Sequence, residues 1–353
     1  MKNVFLESHN VKNLATGFGI FNYELIKAIA HLHPTDLDIT LNLKHPLRFK
    51  EEFGNQFRYK QYIDFQRHKI FRIRKKYDVW HCMNQNIRVE PMGKPGKYIL
   101  TVHDVNFAED EQTKKNIERS ERFKSKLKRA DVITYISQYA KDQTYRNFDV
   151  PNVEEHIIYN GNPITEFLDT RLFTPEVPVD KPYFYSIGDF LEKKNFESLV
   201  RMMTEIPNHY LIISGSNQKP YGDFIRSLIQ ELRLENTVFL TGRVSELGKQ
   251  YYIKNAKAFL FPSIGEGFGL PPIEAMRFGK PVFLSDLASL PEIGGNAAFY
   301  WENFDPVYMK EILFEKLNEF DSNRNEFEQK IKERADYFKW ENAAKQYLDC
   351  YRN

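Results

Sequence analysis

Residues 261–274 read Phe261-Pro-Ser-Ile-Gly-Glu-Gly-Phe-Gly-Leu-Pro-Pro-Ile-Glu274, a strand end, a glycine-rich loop and a helix start. Gly265, Gly267 and Gly269 permit backbone conformations that aim N–H groups at a ligand, and the helix that follows adds its positive N-terminal end. Pro271 and Pro272 fall in the first turn, where the helix does not need the N–H groups they lack. The spacing therefore predicts an anion site. Glu266 and Glu274 flank it, one carboxylate for each end of an extended ligand such as a nucleotide sugar. A carboxylate accepts hydrogen bonds from pairs of hydroxyls, and each charge-assisted bond contributes about 1.5–3 kcal/mol.

On either side of this segment, short apolar, β-branched or aromatic runs alternate with longer helical patterns, the signature of βα units wound into parallel sheets. One block has strands expected at Asn3–Leu6, Asp78–His81, Tyr98–Val102, Val132–Tyr135 and His156–Tyr159. A second has them at Tyr183–Ile187, Tyr210–Ser214, Val238–Leu240, Ala258–Phe261 and Pro281–Leu284. Helical patterns cover Gly19–Leu32, Ser137–Arg146, Phe196–Glu205, Phe224–Leu232, Leu270–Phe278 and Trp340–Tyr351. The expected organisation is a first α/β domain over 1–163, a proline-rich linker over 164–182, a second α/β domain over 183–339 and a terminal helix over 340–353. Open parallel sheets bind ligands beyond the carboxyl ends of their strands. The loops after strands, in a cleft between two such domains, are where the site is expected.

A length of 353 residues suits two domains, and 42% hydrophobic with 28% charged residues is the composition of a globular protein. No apolar run approaches a membrane span and the first residues lack a signal-peptide core, so the chain is expected in the cytoplasm. Cys82 and Cys350 are the only cysteines, without metal-ligand spacing, and are read as reduced and structural. Residues 1–160 hold 27 Lys and Arg against 20 Asp and Glu, so the basic charge lies in the first half. It concentrates in Arg48–Lys76, with ten basic and three acidic residues, and in Lys114–Arg129, with eight and two. Such segments are either a solvated basic face or a surface for peripheral contact with an anionic membrane, where each basic side chain is worth about 1 kcal/mol. Nucleic acid is not expected as a partner, because no binding motif accompanies the charge.

The EGFGLPPIEAM segment, with a Glu, seven intervening residues and a second Glu, resembles the family-4 retaining glycosyltransferases. The resemblance implies a GT-B fold: two Rossmann-like, doubly wound domains facing across a cleft, with the 340–353 helix crossing back to the first domain. It also implies that Glu266 contacts donor-sugar hydroxyls, that Glu274 contacts the ribose, and that backbone amides of Gly267, Phe268, Gly269 and Leu270 hold sugar or phosphate. Ser186–Asn195, SIGDFLEKKN, is similar to the family's strand-end loop with basic residues for the diphosphate, which gives that role to Lys194 with Lys193 beside it. A fixed cation there stabilises the departing nucleotide, and losing one such preorganised donor costs about 10²–10³ in rate. Many relatives have Arg directly after the glycine where this chain has Asp189, which leaves one diphosphate contact to Lys193 or Arg243. Thr241-Gly-Arg-Val244 resembles the stretch against which relatives lay the nucleobase, and Ser285–Glu292 is a weaker match.

In the first half, Thr16-Gly-Phe-Gly-Ile-Phe resembles the family's glycine-containing loop beside the donor phosphates, bringing in Gly17, Phe18 and Gly19. Thr101-Val-His-Asp104 matches its HD segment, so His103 is expected to hydrogen-bond the transferred sugar or the acceptor, with Asp104 orienting it. Asp78–Asn84 ends a strand at the same face, which makes His81 and Asn84 acceptor-side residues or packing residues. Ser137 is expected to cap a helix.

The activity implied is transfer of a hexose-type sugar from a nucleotide-diphosphate donor, such as a GDP- or UDP-sugar, to a glycan or lipid-linked acceptor, with surface polysaccharide assembly as the setting. It needs no cofactor and no metal. Asp36-Leu37-Asp38 has the Asp-x-Asp pattern of metal-dependent transferases but stands apart from the other motifs. An epimerase or phosphorylase on the same fold is the alternative enzyme, and a non-catalytic nucleotide-sugar-binding subunit is the alternative of another class. A dehydrogenase is disfavoured, since no complete GxGxxG unit follows a strand.

Overall fold

The structure is a computed structural model and describes residues 1–14, 16–108 and 113–353. It forms two compact units, Met1–Pro163 together with Lys339–Asn353, and Ile164–Phe338.

The first unit holds a seven-stranded sheet of β1 (Lys2–Glu7), β2 (Leu37–Leu43), β3 (Arg58–Gln61), β4 (Val79–Cys82), β5 (Lys97–Val102), β6 (Val132–Tyr135) and β7 (Glu154–Ile157). Its order is β3-β2-β1-β4-β5-β6-β7, parallel throughout. Central strands are apolar because helices cover both faces; every residue of β4 and β6 is buried. The terminal helix Trp340–Arg352 belongs to this unit. It lies against the Gly17–Leu32 helix, with the Phe21 ring 5.8 Å from Trp340 and 6.1 Å from Tyr347. Gly161 makes room for it, since a Cβ there would lie 2.1 Å from the Trp340 nitrogen.

The second unit holds β8 (Tyr183–Ile187), β9 (Tyr210–Ser214), β10 (Val238–Gly242), β11 (Ala258–Phe261), β12 (Val282–Ser285) and β13 (Phe299–Trp301), in the order β10-β9-β8-β11-β12-β13. Its strands alternate between two cores: Phe184, Leu211, Ile213, Leu260 and Phe283 face one, and Tyr185, Ile212, Phe259, Val282 and Leu284 the other. This is the two-period of a strand covered on both faces.

Residues 164–182, expected as a linker, group with the second unit. Phe173 packs 5.2 Å from Tyr251 and 5.6 Å from Tyr252, and Phe167 lies 5.0 Å from Phe278. The prolines interrupt secondary structure there, but the aromatic side chains between them have apolar surface to bury.

In both sheets the strand order reverses once, between β1 and β4 and between β8 and β11. Loops leaving adjacent strands on opposite faces at such a point open a crevice at the carboxyl edge.

Candidate functional site

At the switch point of the second sheet, the loop after β8 ends in a 3₁₀ turn, Glu192–Lys194, closed by Asn195 in the left-handed region at φ 52°. The loop after β11 leads into the Leu270–Met276 helix through Gly269, whose φ of 111° disfavours any side chain. Gly265 and Gly267 were expected to share that freedom, but among the three only Gly269 uses it. The two loops are bonded to each other: Ile264 N donates to the Lys193 carbonyl at 2.8 Å. Ser263 Oγ sits 2.9 Å from the same carbonyl and 2.6 Å from Glu266 Oε1, and its one proton serves either. Ser285 and Ser289 fix the loop from behind, donating to the Ser263 carbonyl at 2.5 Å and the Phe268 carbonyl at 2.7 Å.

This scaffold brings Lys194 and Glu266 together. Lys194 Nζ is paired with Glu266 Oε1, both side chains are 12% exposed, and the ammonium stands 4.9 Å from the Phe261 ring centre. Burial opposes ionisation of Glu266, but the charges of Lys194 and Lys193, with the bonds from Lys194 and Ser263, outweigh it and hold the carboxyl below its ordinary range. The pair is a charged donor and a charged acceptor held together nearly out of solvent.

Glu274 is 4% exposed and accepts from Lys249 Nζ at 2.7 Å; the same ammonium lies 2.9 Å from Glu246. Burial pushes the Glu274 carboxyl up despite Lys249, while Glu274 and Glu246 overcome burial to push the Lys249 ammonium up. Lys249 was not legible as a site residue. It sits on the Glu246–Asn255 helix, 25 residues before its partner, where a lysine reads as solvated surface.

Asp189 accepts from Lys219 Nζ at 3.1 Å and lies 3.8 Å from Arg243 Nη2. The position where relatives carry a cation is therefore a carboxylate with two cations gathered on it, one of which, Lys219, the motif reading missed. Val244 packs beside Gly248, and Phe268 is buried with its ring 5.4 Å from Phe338.

In the first unit His103 is 5% exposed. Its Nε2 donates to the Met83 carbonyl at 2.9 Å, and its ring meets Phe18 and Phe21 edge-on at 4.9 and 4.5 Å. Burial pushes its pKa down to about 4, so near pH 7 the ring is neutral with the proton on Nε2, and Nδ1 is a hydrogen-bond acceptor. The Asp104 carbonyl accepts from Gln85 Nε2 at 2.7 Å. Thr16 caps the helix by accepting from Gly19 N at 3.2 Å; Gly19 is pressed against Asn13, where a Cβ would lie 2.0 Å from the carbonyl, and Gly17 has open space. Ser137 caps its helix by accepting from Ala140 N at 3.0 Å.

His81 does not stand at an acceptor face. It is fully buried, with Nδ1 2.7 Å from the Tyr351 hydroxyl, Nε2 2.7 Å from Thr101 Oγ1 and its ring stacked on Tyr347. Both nitrogens are taken up in packing the terminal helix, so of the two alternatives it is a packing residue. Asn84, two residues beyond the strand, is 1% exposed; Oδ1 accepts from Asn86 N at 2.9 Å, while Nδ2 has no partner. Asp36 and Asp38 are each held by an arginine, Asp36 by Arg352 at 2.8 Å and Asp38 by Arg58 at 2.6 Å.

Two Rossmann-like parallel sheets, the second with a paired lysine and glutamate at its switch point, define the GT-B class of fold. Residues 170–336 match the glycosyl transferases group 1 family. Over its full length the chain superposes on the sucrose-phosphate synthase of Thermosynechococcus elongatus with a TM-score of 0.75 at 20% identity, covering 98% of that chain. It is 26% identical over 202 residues to the O-antigen chain mannosyltransferase RfbU of Salmonella typhimurium, covering 57% of this chain and 55% of that protein. It is also 26% identical over 243 residues to the O-antigen chain mannosyltransferase B of Escherichia coli, covering 64% and 61%. The matches thus span little more than half the length of these curated relatives.

Proposed function

We propose that the chain is a retaining, metal-independent glycosyltransferase that moves a hexose, mannose before others, from a nucleotide-diphosphate donor such as a GDP- or UDP-sugar to a glycan or lipid-linked acceptor in surface polysaccharide assembly. The observation that carries this reading is the Lys194–Glu266 pair, held nearly buried at a switch point with Glu274 at the far end of the same loop and helix. The two O-antigen mannosyltransferases support the choice of sugar and setting.

In this mechanism the donor inserts between the paired groups. Lys194 turns from Glu266 to the diphosphate, and Glu266, kept ionised, accepts from sugar hydroxyls. Lys193, Arg243 and Lys219 supply the remaining positive charge, with Asp189 as their partner before the donor arrives. The acceptor hydroxyl forms a bond to the anomeric carbon on the face from which the diphosphate departs. The bond from that carbon to the phosphate oxygen breaks, and the acceptor proton passes to a departing phosphate oxygen. His103 Nδ1 accepts from a hydroxyl of the transferred sugar. Once the donor is seated these charges are in place before the bond breaks, so they need little reorganisation in the transition state.

The test is transfer from GDP-mannose and UDP-glucose to sugar acceptors, with and without a chelator, with the product anomer read by NMR. Lys194→Ala lowers turnover about 10²–10³-fold in protein that circular dichroism shows still folded at the assay temperature. Wild-type kinetics in that variant remove the diphosphate role, and loss of activity on chelation removes metal independence.

Peripheral contact with an anionic membrane belongs to the same proposal. Ile63, Phe65, Ile70 and Phe71 are 50–77% exposed within the basic Arg48–Lys76 segment, and among the described residues no helix is long and apolar enough to cross a membrane. Co-sedimentation with phosphatidylglycerol vesicles, reduced in a Phe65→Ser/Ile70→Ser variant, is the expected result.

A further inference from the structure

The switch point of the first sheet holds a cavity of about 190 Å³ between the segments that follow β1, β3 and β4. That is more than ten times the roughly 15 Å³ needed to hold one water. Two of its lining residues, Asn84 and Arg88, bring hydrogen-bond donors that meet no acceptor among the described residues. Asn84 lines it with Nδ2 buried and unpartnered, and the bond from Asn86 N to Oδ1 fixes which way the amide is turned. Arg88 lines it with no hydrogen bond or ion pair among the described residues, and its charge is felt by Arg122, whose pKa is pushed down by burial and then by Arg88. Arg67 is held in place against the Tyr62 hydroxyl at 2.5 Å and Asp64 at 3.0 Å. His9, fixed by Glu7 at 2.6 Å, lies flat on the Tyr62 ring at 4.4 Å and gives the cavity a planar wall. Glu7 is fully buried behind that wall and does not line the space.

Phe18 lines the same cavity and touches the His103 ring edge-on at 4.9 Å. The unpaired Arg88 guanidinium, with Arg67 beside it already neutralised by Asp64, an idle amide N–H and an aromatic wall suit a sugar bearing a carboxylate or a phosphate, which arginine binds through paired hydrogen bonds. We propose that this cavity is the acceptor subsite and that it selects an anionic acceptor, with Arg88 and Asn84 gripping the acidic group and the ring resting on Tyr62 and His9. The inference rests on the glycosyltransferase reading, which it deepens.

Calorimetric titration with glucose 6-phosphate, glucuronate and glucose tests it. Wild type binds at least one of the two anionic sugars at least tenfold more tightly than glucose, and the preferred one tells phosphate from carboxylate. Arg88→Gln, an exposed position whose folding is checked by melting, weakens that anion at least tenfold, and Arg88→Lys recovers part of the loss. Equal binding of glucose, no binding of either anion, or an unchanged Arg88→Gln variant overturns the proposal. The two readings fail separately. Sugar transfer to neutral acceptors that is indifferent to Arg88→Gln sinks this site alone. Anion binding as expected, in a protein that neither binds nucleotide diphosphates nor transfers sugar, sinks the transferase reading alone.

Discussion

The two buried histidines of the first unit make its stability depend on acid. His81 is pushed down to about 3 by burial and then by the neighbouring His103, and His103 is pushed down to about 4 by burial, against an ordinary value of 6.5. In the folded state both rings refuse a proton that the unfolded chain accepts. Their contribution is therefore complete above about pH 6.5 and is lost as pH falls toward 4 and 3. At pH 5 nearly every unfolded histidine is charged and nearly every folded copy of these two is not. Each ring then costs about 2 kcal/mol of stability relative to pH 8, and the pair about 4 kcal/mol. This figure is insensitive to the folded values as long as they lie well below 5. The assay is urea unfolding at pH 8, 7, 6 and 5 followed by tryptophan fluorescence in a Trp301→Phe background, which leaves Trp80 and Trp340 as reporters of the first unit. His81→Gln keeps a hydrogen-bonding side chain and removes the titration. Whatever its absolute stability, its loss between pH 8 and 5 is smaller than wild type's by about 2 kcal/mol. An unchanged loss would refute the assignment of His81 as a neutral packing residue.

Lys249→Met leaves the Glu274 carboxylate buried without its cation and destabilises the second unit by about 3–5 kcal/mol; adding Glu274→Gln recovers much of this, and a single variant that melts like wild type contradicts the pairing. Gly161→Ala drives a methyl into the start of the terminal helix and costs the first unit about 1–3 kcal/mol in urea unfolding. Asp189→Asn changes stability by less than about 1 kcal/mol, because its ion pairs are exposed, yet it frees Lys219 and Arg243 and tightens nucleotide diphosphate binding; weaker binding would show that the carboxylate itself contacts the ligand.

Much of the second unit could be read directly from sequence, because β8, β9 and β11 are short apolar runs bounded by turn residues and their limits coincide with those expected. The edges were harder. β3 is Arg58-Tyr-Lys-Gln61 and β7 is Glu154-Glu-His-Ile157, strands with polar residues whose pairing comes from the neighbour rather than from an apolar pattern. The apolar run Ile157–Tyr159 drew the expected β7 two residues too far along. The glycine loop and the Lys-Lys turn were visible as motifs, and the structure places Lys194 against Glu266. Lys249 and Lys219 were not visible, since each gains its meaning from a partner 25 or 30 residues away. His81 misled because a histidine ending a strand resembles a site residue. What decides its place is that β4 lies in the middle of the sheet under Tyr347 and Tyr351.

The return of Lys339–Asn353 to the first unit has a consequence for biosynthesis. As the polypeptide leaves the ribosome, everything the second unit needs has been made before Trp340 appears, whereas the opening unit still lacks the strip that covers His81 and Phe21. The first unit is thus completed after the second, and until Lys339–Asn353 has docked its open flank is the surface that a chaperone or a protease would meet.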